Sequence, residues 1–126
     1  MATFTTNLVI YTHTDFEQTF LLEDNQSNSA KDLTGFTATC RMARSLNRAS
    51  GGVRSFNVSF TNRLLGKIRI GMTAAQTAQH PPDKYFYELM LTDPDGKVEK
   101  VIEGIAIVKQ PVTWPSPAPE NPFEPQ

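Results

Sequence analysis

The apolar residues of this chain recur at every second position, a spacing that gives one buried face to a strand and none to a helix. Phe36, Ala38, Cys40 and Met42 alternate with Thr37, Thr39 and Arg41. Phe56, Val58 and Phe60 alternate with Ser55, Asn57, Ser59 and Thr61, and Ile68, Ile70 and Met72 with Lys67, Arg69 and Gly71. Tyr85, Tyr87, Leu89 and Leu91 alternate with Phe86, Glu88 and Met90. Residues 8–11 read as a short first strand. Residues 16–22 read as a second, with Phe16, Gln18, Phe20 and Leu22 on one face. Residues 98–108 read as the last, where Gly104 marks a bulge or a close approach of another backbone.

The punctuation between these runs agrees. Asp93-Pro94-Asp95-Gly96 is a turn, with proline preset in φ and glycine free to take a positive one. Residues 62–66 close a hairpin between the strands of Phe56 and Ile68, and 24–29 and 45–52 are polar loops. Thr73 is positioned to cap one short helix near 73–79, stopped by Pro81-Pro82. The expectation is an all-β fold, an immunoglobulin-like antiparallel β-sandwich of about seven strands.

At 126 residues the chain has room for one domain. A body over 1–110 is expected, followed by a distinct arm. Six of the nine prolines (Pro111, Pro115, Pro117, Pro119, Pro122 and Pro125) fall in 111–126. They exclude helix or central strand there and favour an extended arm. That arm carries Trp114 and Phe123, which it has no core to bury. Prolines also lower the ordering cost of laying such an arm along a partner, so both aromatics are candidate anchors.

Charge is segregated. The net charge is only −1, which argues against whole-chain attraction to nucleic acid or to anionic lipid. Yet Arg41, Arg44, Arg48, Arg54, Arg63, Lys67 and Arg69 crowd 33–82 without one acid, while acids dominate both flanks. Either the flanks neutralise this stretch within the fold, or a basic face that includes Arg44, Arg48 and Arg54 meets an acidic neighbour. The apolar runs are far too short to span a bilayer, and the N-terminal residues lack the features of a signal peptide. Cys40 is the single cysteine, so no internal disulfide is expected and a reducing compartment is implied.

Chemistry is harder to find. His13 and His80 are distant in sequence, and Cys40 lies on the apolar phase of its strand, which predicts a structural thiol and no metal set. The pair Asp93 and Asp95 is accounted for by its turn. No nucleophile elbow and no phosphate loop occurs. Arg54 and Lys67 flank aromatics as they do in base-stacking sites, but Phe56 and Phe60 share the phase of Val58, as core residues do. No catalytic residue, cofactor or metal is therefore expected.

The order of several short segments carries a resemblance. Asp15-Phe16 through Phe20, Glu23-Asp24 and Asp32-Leu33-Thr34-Gly35-Phe36-Thr37 are followed by Gly66-Lys67-Ile68 and Met72-Thr73-Ala74-Ala75-Gln76-Thr77. Then come Lys84-Tyr85-Phe86-Tyr87-Glu88-Leu89, Asp95-Gly96-Lys97-Val98 and Glu103-Gly104-Ile105-Ala106-Ile107-Val108. Over about 7–113 this resembles a small structural protein of tailed bacteriophages, particularly phages of marine cyanobacteria. It is also similar to N-terminal immunoglobulin-like modules of some phage baseplate proteins. Pro82-Asp83 departs from the pattern, where a glycine-containing turn is expected, and the proline-rich extension lies outside it. The resemblance implies a virion structural protein without catalytic residues, assembled in the host cytoplasm. Its partners would be other virion proteins (capsid, neck or tail subunits) in a symmetric homo- or hetero-oligomer, in the role of capsid decoration or cement, or of a neck, tail or baseplate accessory. The alternative is a carbohydrate-binding module for host surface glycans, with Trp114, Phe86 and Tyr11 as the available aromatic platforms.

Overall fold

The computed structural model describes residues 3–24, 29–44 and 53–112. In chain order the strands are β1 (Phe4–Thr5), β2 (Leu8–Tyr11), β3 (Phe16–Leu21), β4 (Glu23–Asp24), β5 (Ser29–Ala30), β6 (Thr37–Ala43), β7 (Arg54–Ser55), β8 (Asn57–Asn62), β9 (Lys67–Met72), β10 (Asp83–Thr92) and β11 (Val98–Lys109). Among the described residues one α-helical turn, α1 (Ala74–Thr77), and one 3-10 turn, Arg63–Leu65, interrupt them. The described residues are thus all-β with a single small α-helix, as the period of two requires. Seven strands run four residues or longer; the rest are two-residue ladders.

Two sheets enclose one core. The larger has the order β1-β11-β10-β6-β7, with β2 also paired to β11; the smaller has the order β3-β9-β8. β4 and β5 form a separate two-stranded ribbon. The central strands bury the phase their sequence marked, while Phe16 and Phe20 of β3 and Val58 and Phe60 of β8 pack against the core half-buried. Tyr85, Tyr87, Leu89 and Leu91 of β10, Cys40 and Met42 of β6, and Ile68, Ile70 and Met72 of β9 all lie in the core. The chain crosses between sheets at Phe56, whose N–H donates to the Cys40 carbonyl at 2.9 Å. The Phe56 ring lies 6.1 Å from Phe16 of the small sheet and 6.3 Å from Tyr87 of the large one, linking the two halves of the core edge-on.

Three expectations need correction. The larger sheet is not wholly antiparallel, because β1 and β2 both run parallel to β11, with Phe4 opposite Ile102 and Leu8 opposite Ala106. The N-terminal segment is one edge strand broken at Thr6-Asn7, and the break is filled by specific bonds. Thr6 N–H donates to the Glu103 carbonyl at 3.0 Å, Ile105 N–H donates to Asn7 Oδ1 at 3.1 Å, and Tyr87 O–H donates to the Thr6 carbonyl at 2.6 Å. Gly104 is the close approach its position suggested, since a Cβ there would lie 1.9 Å from the Thr6 carbonyl oxygen.

Second, the helix is one turn and not 73–79. Thr73 does cap it, in a reciprocal box in which Gln76 N–H donates to Thr73 Oγ1 and Thr73 N–H to Gln76 Oε1. Buried Thr77 ties the turn to the start of β3 by donating to the Thr14 carbonyl at 2.8 Å, and Pro81-Pro82 follow too closely for a second turn. Third, Gln18 shares the phase of Phe16 and Phe20 but is exposed, because β3 is a sheet edge there and a long amide can bend out to water. The Asp93 turn forms as expected: Asp93 Oδ1 accepts from the N–H groups of Asp95 and Lys97, both at 2.9 Å.

Candidate docking surface

The outward face of the larger sheet is built from the second phase of strands whose first phase is already core. Register places Val9 of β2 beside Ile107 of β11, Ile105 of β11 beside Phe86 of β10, and Phe86 beside Ala43 of β6. This makes an apolar band across four strands. Its β2 end is open to water, with Val9 47 %, Tyr11 45 % and Ile107 37 % exposed. Phe86, Ile105 and Ala43 are half-buried. A trough of about 470 Å³ is lined by the half-buried part of the band, Ala43, Phe86 and Ile105, together with Val53.

Charges border that trough. Glu88 and Glu103 sit directly opposite each other on β10 and β11, where like charges repel. Lys100 relieves the repulsion, its Nζ donating to Glu103 Oε1 at 3.1 Å and lying 3.5 Å from Glu88 Oε1. The hydrogen bond to Glu103, reinforced by both carboxylate charges, holds the Lys100 ammonium above the ordinary lysine value. Both carboxylates are thereby tied to one cation, an arrangement suited to a polar rim.

The residues nominated from sequence fall into two groups. Arg44 and Arg54 are brought together: their guanidinium carbons lie 5.9 and 5.4 Å from the Tyr85 ring centre, and Arg44 Nε is 3.2 Å from Asp83 Oδ2. Arg44 therefore also packs one end of the fold and is not purely an outward-pointing charge. Arg48, Trp114 and Phe123 lie outside the described residues. The two glycan platforms that are described do not converge in the trough, since half-buried Phe86 lines it and exposed Tyr11 does not.

Reactive groups are sequestered. Cys40 is buried, and burial, with Glu88 nearby, pushes its thiol up to about 12, so it stays protonated at neutral pH. Burial raises the Tyr87 phenol as well. Burial and then the Arg54 charge lower His80, whose Nδ1 is buried without a hydrogen-bond partner. Among the described residues no group of three or more His, Cys, Asp or Glu side chains is arranged to hold a metal ion, and no helix is long and apolar enough to cross a membrane.

The apolar band was missed in sequence because each strand was assigned one buried phase. The signal was present: Val9, Phe86, Met90, Ile105 and Ile107 occupy the opposite phase of strands already apolar on their inner side, the pattern of strands covered on both faces. Comparison of the chain with known protein families and with curated proteins gives no match.

Proposed function

We propose that this chain is a non-enzymatic structural subunit of a tailed-phage virion, an immunoglobulin-like sandwich that docks on neighbouring virion proteins as a capsid decoration or cement protein, or as a neck, tail or baseplate accessory. The strand order supports the sandwich reading. β3, β9 and β8 take the places of three strands of one immunoglobulin sheet, while β6, β10 and β11 take those of the other, consecutive and in the same order. The phage assignment rests on the resemblance of the segments from Asp15 to Val108.

The observation that carries the docking role is the apolar outer face of the larger sheet. A band of valine, isoleucine and phenylalanine across four strands gains nothing from facing water, and such a patch rimmed by charge is how interaction sites look. The basic stretch 33–82 and the arm over 111–126 extend the surface available to partners.

The test is incorporation into particles. A Val9→Asp/Ile107→Asp double variant places two charges on the exposed end of the band, where neither disturbs the core. Its incorporation should fall at least tenfold, an effect of one desolvated charge or more, while the repulsion of two facing carboxylates costs the fold no more than about 1 kcal/mol, read from its urea midpoint. Thr19→Asp, on the outer face of the smaller sheet, should be incorporated normally. Wild-type incorporation of the double variant overturns the reading.

One observation favours the second reading, a carbohydrate-binding module: Phe86 lies in a trough beside Arg41 and Glu88. Glycan binding on an array, lost in Phe86→Ala, would select it; an array without hits removes it.

A further inference from the structure

The N-terminal edge of the larger sheet carries no charged side chain. Residues 1–14 contain no Asp, Glu, Lys or Arg, and among the described residues β2 pairs with β11 alone. Thr12 N–H donates to the Lys109 carbonyl at 2.8 Å. Alternation along the strand therefore turns the N–H and C=O of Leu8 and Ile10 to β11, and those of Val9 and Tyr11 to the open edge. The Tyr11 carbonyl takes Thr14 Oγ1 at 2.8 Å on one lone pair and keeps a second. Proteins blunt such a row of backbone groups with charged side chains, proline or a bulge. The break at Thr6-Asn7 lies upstream, and Leu8–Tyr11 runs on without one.

The other edges among the described residues differ. β3 carries Glu17, β4 carries Glu23, and β7 is two residues long and carries Arg54. β8 is uncharged, but it turns out Asn57, Ser59 and Thr61, which water satisfies. Only at β2 does an uncharged edge meet an apolar outer face. Val9, Tyr11 and Ile107 are the open end of the band, whereas Phe86, Ile105 and Ala43 further in are half-buried. An uncharged strand does not repel its own copy, and it has no ionic group with which to select a different partner. A two-fold axis normal to the sheet sets β2 antiparallel to its copy with both outer faces on the same side, so each apolar band continues into the other.

We infer that β2 pairs antiparallel with β2 of a second copy about a two-fold axis at Ile10, joining the two larger sheets into one. Val9 N–H then donates to the carbonyl of the partner's Tyr11, and Tyr11 N–H to the carbonyl of the partner's Val9. Val9 and the partner's Tyr11 stand side by side on the outer face, a β-branched and an aromatic residue in the kind of cross-strand pair that stabilises sheets. The axis at Ile10 keeps these pairs inside Leu8–Tyr11. A shift towards the N-terminus would engage Asn7, in the broken segment, where its Oδ1 is taken by Ile105 N–H. A shift the other way would engage His13, where a φ of 64° turns the chain off the edge. The contact is isologous and uses the same edge of both copies, so it closes at a dimer. This deepens the docking role proposed above, and rests on it, by naming what covers the open end of the band.

Sedimentation of the full-length chain over a concentration series tests it. A short edge contact belongs to the weak class of interfaces, so a dimer with a dissociation constant of about 100 μM is expected. Val9→Pro removes an N–H that faces the open edge and leaves the ladder to β11 intact. It should raise the constant roughly tenfold or more, whereas Val9→Thr keeps the N–H and should stay within about threefold. An equimolar mixture of Val9→Cys and Tyr11→Cys chains, oxidised with diamide, should give a disulfide-linked dimer, because paired Cα atoms lie about 5.5 Å apart. Neither variant alone should do so, since like positions are about 9 Å apart, and Cys40 is buried. Equal effects of Val9→Pro and Val9→Thr, or cross-linking of either cysteine variant alone as readily as the mixture, overturn the pairing. A full-length chain that stays monomeric to about 500 μM, its edge taken by its own C-terminal residues or by another virion protein, overturns the second copy as occupant. A monomeric chain with lost incorporation of Val9→Asp/Ile107→Asp rejects the dimer and keeps the docking reading, and a dimer with normal incorporation of that variant does the reverse.

Discussion

The smaller sheet turns Glu17 and Thr19 of β3, Lys67 and Arg69 of β9, and Asn57, Ser59 and Thr61 of β8 to the outside, whereas the larger sheet turns out Val9, Ile105, Ile107, Phe86 and Ala43. Both inner faces are apolar and meet in one core. The inner phase therefore explains folding for both sheets equally, and only the outer phase distinguishes them. A strand needs one apolar face to fold, and a second costs solubility unless something covers it. The difference marks the surface on which the proposed docking role rests.

The two sheets also differ in how tightly an edge strand is held, and two glycines measure it. Gly104→Val in the larger sheet would drive a side chain into the Thr6 carbonyl and the Tyr87 ring, so it should cost about 3 kcal/mol or more. Gly71→Ala in the smaller sheet puts a Cβ 2.7 Å from the Phe16 carbonyl. It should cost about 1–2 kcal/mol, since edge strand β3 can shift. Urea denaturation of both variants ranks them. A reversed order would mean that the β1–β11 contact is the looser of the two.

A smaller effect is expected at the end of the fold where Arg54 and His80 approach each other. Because His80 titrates below its ordinary 6.5 when folded, the unfolded chain takes up its proton first on acidification. Its contribution is whole above pH 6.5 and is lost as pH falls below that value. Between pH 7.5 and 5.5 the wild type should lose more stability than His80→Gln, and parallel curves for the two would show that the imidazole does not feel its burial.

The smallest effect belongs to the rim of the trough. Lys100→Met leaves Glu88 and Glu103 facing each other and should cost within about 1 kcal/mol, an effect that shrinks in high salt because all three groups are accessible to water. A loss that persists in 1 M salt would make the triplet a buried structural feature and not a rim.

Much of the fold was legible from alternation and punctuation. The inner phase of β6, β9 and β10 is buried largely as read and that of β8 is half-buried, Thr73 caps its turn, Asp93 closes its own, and Gly104 marks a close approach. The parallel docking of β1 and β2 was not legible. Which strand a four-residue segment joins depends on partners nearly a hundred residues away, and two or three alternating residues fit many edges equally. The convergence of Arg44 and Arg54 on Tyr85 was hidden for the same reason, since β6 and β7 are joined through a loop. The outer band was half legible: its residues were visible, but their adjacency was not.

By itself, then, the order of residues determined that the chain forms strands, which side of each strand is apolar and where the turns fall, because these depend on side-chain parity and local backbone freedom. Tertiary structure alone decided which strands are neighbours, and hence that Val9, Ile107, Ile105, Phe86 and Ala43 make one continuous surface. Adjacency is set by long-range hydrogen-bond register, which aligns residues that no local pattern connects.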